Sequence, residues 1–112
     1  MNKKRFLLLF LALLLAALLG RAAILRTHTF TLSDGDGAAP KSEQIQPLWG
    51  TVYVSGDCDT DVVFTDTETG ETHTIGYITS GVTEKIHLQR GRWYTVQGHG
   101  HLTLRPVTLR IE

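Results

Sequence analysis

Leu48-Trp49-Gly50-Thr51-Val52-Tyr53-Val54 reads as a β-strand: aromatic and β-branched residues crowd it, and Ser55-Gly56-Asp57 stops it as a turn. The same texture repeats toward the C-terminus. Residues 61–65 (DVVFT) predict a second strand and residues 71–79 (ETHTIGYIT) a third, in which Gly76 marks a bulge. Thr67-Glu68-Thr69-Gly70 joins these two as a turn, with Gly70 available for a positive φ. Residues 82–88 and 93–97 predict the fourth and fifth strands, and Arg90-Gly91 turns the chain between them. Residues 102–111 complete the set.

Side chains two apart in a strand share a face, so the alternation marks which side is buried. Val52 and Val54 share one face, as do Val82, Ile86 and Leu88, although Glu84 falls in phase with the second set. In the last segment Leu102 and Leu104 are even, whereas Val107, Leu109 and Ile111 are odd. The phase slips at Arg105-Pro106. Proline cannot donate to a ladder, so a bulge, an edge, or two short strands in different sheets would account for the slip. About six strands in the 65 residues 48–112, with short turns and no helical period, define a mainly β domain. The expected form is a small antiparallel β-sandwich or open barrel, with Trp49, Phe64, Trp93 and Tyr94 as candidate core aromatics.

The N-terminus is of another kind. Three basic residues, Lys3, Lys4 and Arg5, precede fifteen uncharged positions from Phe6 to Gly20, nine of them leucine. Leucine and alanine favour helix, and a helix apolar on every side has no large core to enter in so short a chain. Two readings of residues 1–26 fit. As a signal peptide, Gly20 and Ala22 are small residues where cleavage would follow Ala22, releasing a secreted domain. As a transmembrane anchor, Phe6 to Leu25 gives twenty positions, with Arg21 near the outer interface. The anchor is preferred, because Arg21 is awkward beside a cleavage site. Three bases before the apolar run against two after it place the N-terminus in the cytoplasm and the domain outside the cell membrane. Residues 27–47 include the Gly-, Asp- and Pro-rich SDGDGAAPK and read as an extended stalk and flexible linker to the extracytoplasmic domain 48–112.

A formal net charge of zero hides a polarity. From Thr27 onward six Lys and Arg stand against eleven Asp and Glu, which argues against a nucleic-acid partner. Cys58 is the sole cysteine, so no intrachain disulfide staples the domain, and a buried or inert thiol is expected.

The chemistry-bearing candidates are few. Asp57, Asp59 and Asp61, with Glu68, fall at positions 1, 3, 5 and 12 of a calcium loop, but Val62 occupies the sixth position, where the turn needs glycine. His99 and His101 would share a face if Gly100 were extended, a spacing compatible with zinc or copper. No nucleophilic triad, carboxylate pair or phosphate loop is singled out, and no cofactor is implied. Arg90 and Arg92 flank Gly91 with Trp93 following, and form a candidate contact for an anionic envelope polymer. The expectation is a non-enzymatic, membrane-anchored or exported β domain that contacts another protein or an envelope polymer. A metal-binding module using the His or Asp clusters is the alternative, followed by a structural small subunit of a membrane assembly.

Overall fold

The computed structural model describes residues 3–111, which form an elongated molecule of 63 × 30 × 22 Å. Helix α1 (Lys3–Thr27) is 25 residues long, about 37 Å at 1.5 Å per residue, and none of its residues is buried. It is long and apolar enough to span a membrane or to act as a signal sequence. Nine strands follow among the described residues: β1 (Phe30–Thr31), β2 (Glu43–Pro47), β3 (Thr51–Gly56), β4 (Thr60–Asp66), β5 (Thr72–Ile78), β6 (Glu84–His87), β7 (Tyr94–Gln97), β8 (Leu102–Arg105) and β9 (Val107–Ile111).

They make two antiparallel sheets, ordered β1-β8-β3-β6 and β5-β4-β7-β2-β9. The core lies between them. Val52 and Val54 of β3 and Leu102 and Leu104 of β8 come from one side, and Ile45, Val62, Phe64, Tyr94, Val96 and Val107 from the other, all essentially inaccessible to water. The sequence-level phase slip has its cause here: β8 ends at Arg105, the chain changes sheet through Pro106, and β9 begins on the edge of the second sheet. The bulge lies at Gly76, since Asp61 pairs with Tyr77 and Val62 with Ile75, leaving the glycine unopposed.

Three expectations need correction. The first concerns residues 27–47, which are no stalk. β1 pairs with β8, Leu32 is fully buried, and β2 is an interior strand between β7 and β9. Between β1 and β2, the Lys41 ammonium is buried and donates to the carbonyls of Ser33 (2.7 Å) and Gly100 (2.6 Å), while the Lys41 amide bonds Val96. Burial lowers the Lys41 pKa, against the raising influence of Asp34, Glu43 and Asp57. A low-complexity composition therefore conceals a pinned loop.

The second correction is to the aromatics: Phe64 and Tyr94 are core residues, but Trp49 and Trp93 are only half-buried. Trp93 and Tyr94 are adjacent in an extended chain, so only one of them can point inward. Arginine side chains cover both indoles instead, with Arg21 4.7 Å from the Trp49 ring and Arg110 4.1 Å from that of Trp93. In the third, Val82 lies outside β6 and is exposed, so it does not share the burial of Leu88.

Candidate functional site

Register fixes the two ends of the sandwich. The amide of Val107 bonds the His28 carbonyl, so the Pro47–Val107 end of the β2–β9 ladder adjoins the end of the helix. β7 starts at this end, where Tyr94 pairs with Ile45 and Asp66, and runs away from it to Gln97. The turn that follows Gln97, residues 98–101, together with Thr60 at the start of β4 and Ile78 at the end of β5, lies at the opposite end.

That far end carries a cleft of about 440 Å³, lined by Asp59, Asp61, Tyr77 and His99, with Gly37 and Gln97 beside them. The β4–β5 pairing places Tyr77 next to Asp61, and Tyr77 is 68 % exposed. Asp59 accepts the Ser80 amide at 2.7 Å, which fixes the loop wall. Local desolvation, followed by the charges of Asp59 and Asp61, raises the Tyr77 phenol above its ordinary value, so it remains a neutral donor. His99 is positioned by its amide, which donates to Thr60 Oγ1, and by a β-bridge to Asp36. The cleft thus offers an aromatic face and two carboxylates to a visiting cation or donor.

Asp57 belongs to a separate node. Its carboxylate accepts the His101 amide (2.8 Å) and faces the imidazole (3.1 Å), and these bonds hold its pKa below the ordinary value. Cys58 is exposed, so of the two expected states, buried or inert, the first does not hold. A hydrogen bond to Asp57, reinforced by desolvation and the nearby carboxylates, raises the thiol pKa and disfavours the thiolate. Gly100 turns over this node at φ 72°, where a Cβ would run into the Asp57 carboxylate and the Cys58 sulfur. Gly100→Ala is therefore expected to cost about 1–3 kcal/mol in chemical denaturation, whereas Ala at Gly70, also at positive φ but in open space, should cost less.

Glu68 is remote from both places. It sits in the β4–β5 turn and pairs with Arg92, whose guanidinium also lies 3.5 Å from the buried Asp66 carboxylate. The amide of Glu68, then that of Thr69, and then Arg92 hold Asp66 below the usual carboxylate range. The ligand set suggested by spacing is consequently divided among three locations. No three His, Cys, Asp or Glu among the described residues meet in a way that could hold a metal ion. Of the suggested polymer contact, Arg90 is exposed in its turn, Arg92 is engaged by two acids, and Trp93 lies under Arg110, whose Nε donates to Gln44.

Tyr77 and Lys41 were missed in the sequence. A tyrosine alternating within a strand could have flagged the first. Nothing local flags the second, because its carbonyl partners come from Ser33 and from Gly100, 59 residues away.

The fold and its two ends define a two-sheet β domain carried on an apolar helix. Comparison with known protein families, characterised proteins and solved structures gives no match for the chain.

Proposed function

We propose that the chain is a single-pass membrane protein with its N-terminus in the cytoplasm, and that its outer β domain acts without catalysis by contacting another protein or an envelope polymer. The observation that carries this reading is the continuity of the helix with the domain. Only His28 and Thr29 separate α1 from β1, and none of the described residues of this apolar helix is buried. A bilayer satisfies both the helix's apolar surface and its length. Seated directly on the membrane, the domain presents its far end outward, and with it the cleft of Asp59, Asp61, Tyr77 and His99. Carboxylates around an exposed phenol suit the basic side chains or amines of a partner. An anionic polymer at the Arg90–Trp93 turn is the weaker choice, because Arg92 and Trp93 already have partners there.

A photo-crosslinking residue at Tyr77 of the full chain, introduced in intact cells, tests this contact. A discrete adduct is expected, reduced by Asp61→Asn and absent from the same probe at Thr69, which lies in the turn near the membrane. Equal labelling from both positions, or none from Tyr77, would remove the cleft as the contact surface.

A further inference from the structure

The junction of helix and domain forms a groove of about 580 Å³ lined by Ala22, Leu25, Arg26, Thr29 and Arg105. Its geometry follows from the chain's path. Ala22, Leu25 and Arg26 are spaced by three and four along α1 and so share one face. The Thr29 hydroxyl donates to the Leu25 carbonyl and continues that wall beyond the last helical turn. Arg105 arrives from the opposite side because the β1–β8 pairing of Phe30 with Leu104 brings the end of β8 beside the helix terminus.

Both arginines are exposed, and neither is paired with a carboxylate among the described residues. Arg21 is taken up by the Trp49 ring; Arg105 stands 5.6 Å from the Tyr53 ring but remains exposed. Two arginines therefore line the groove together with Ala22 and Leu25, in a domain whose remaining charge is predominantly acidic. Once residues 6–25 fill the hydrocarbon, a span of about 30 Å at 1.5 Å per residue, Arg26 lies at the level of the headgroups.

We propose that this groove binds one anionic phospholipid of the outer leaflet, with its phosphate held by Arg26 and Arg105 and its first methylenes resting on Ala22 and Leu25. The site rests on the membrane-anchor reading and adds to it a specific ligand class. Guanidinium forks match phosphate oxygens in pairs, and the apolar floor distinguishes a lipid from a free anion. Bound there, the lipid bridges helix and sheet and fixes the domain's orientation on the membrane.

The full chain in nanodiscs mixing phosphatidylglycerol and phosphatidylcholine tests the proposal, with retained lipids counted by native mass spectrometry. The wild type is expected to enrich phosphatidylglycerol by about fivefold for each contributing arginine. R26Q/R105Q should lose the enrichment while keeping its circular dichroism spectrum and a cooperative melt, because both side chains are exposed and only the surface contact of Arg105 with Tyr53 is lost. R90Q removes one positive charge at the same end of the domain and should leave the enrichment intact. An equal loss in R90Q would reduce the effect to general charge and overturn the site, as would displacement of the lipid by inorganic phosphate alone. A chain that inserts stably but shows no lipid preference overturns the groove and leaves the anchor standing. A chain that alkaline carbonate strips from the membrane overturns both.

Discussion

A fragment beginning at Leu48 is expected to remain unfolded, whereas one beginning at Thr27 should fold. The shorter piece keeps every strand whose residues alternate conspicuously, but it lacks β1 and β2. Without β2, β9 loses its only ladder neighbour and β7 loses one of its two, while the cavities left by Leu32 and Ile45 open the core. Each of those two fully buried side chains is worth about 2–5 kcal/mol by truncation. A domain of this size has only about 0.05–0.15 kcal/mol per residue in hand. Far-ultraviolet circular dichroism and amide proton dispersion distinguish the outcomes. A cooperative melt from the 48–112 fragment would contradict the placement of β2.

Phe64→Ala should be the most damaging single change in the described core, costing about 3–5 kcal/mol. Phe64 is fully buried in β4, opposite Val96 on one side and His73 on the other. Its removal leaves a void that the surrounding β-branched residues cannot readily fill, since their rotamers are restricted. For a domain of this length the melting temperature should fall by at least about 12 °C. Trp93→Ala, truncating a larger side chain, should cost less, because the indole is half-exposed and loses chiefly its stacking with Arg110. Urea denaturation of the full chain in detergent micelles ranks the two. A larger loss at Trp93 than at Phe64 would contradict the placement of Phe64 in the core and Trp93 at the surface.

The contrast between these residues shows what the sequence made legible. Period-two alternation located Val52, Val54, Leu102 and Leu104 in the core, because each strand has one wet face and one dry face, while Phe64 was expected there for its aromatic bulk. The phase slip it exposed at Arg105-Pro106, for which a change of sheet was one of three explanations, is that change of sheet, and the glycine within residues 71–79 marked the bulge at Gly76. Alternation failed on β2 because Glu43-Gln44-Ile45-Gln46-Pro47 carries one strongly apolar residue, and Gln44 is buried through a bond to Arg110. A polar interior strand satisfied by distant partners leaves no local periodicity to read. The acids divided in the same way. Asp57, Asp59 and Asp61 are close in sequence, yet Asp57 turns to His101 while the other two enter the cleft with Tyr77. A strand's alternation constrains faces, but the partners across a sandwich are set by topology.

Trp49 offers the most direct test of a domain seated on the bilayer without a stalk. Its ring meets Arg21, five positions before Arg26 on the anchor helix, so it should lie at the membrane interface, where tryptophan is favoured. The measurement is fluorescence quenching in vesicles whose lipids carry bromine high on the acyl chain, using full-length W93F, which retains Trp49, and the triple variant W49F/W93F/Y77W, whose one indole stands at the far end of the sandwich. Strong quenching of Trp49 and much weaker quenching of the far-end indole is the predicted result. Equally weak quenching of both, as for a domain held away from the membrane on a flexible tether, would contradict it.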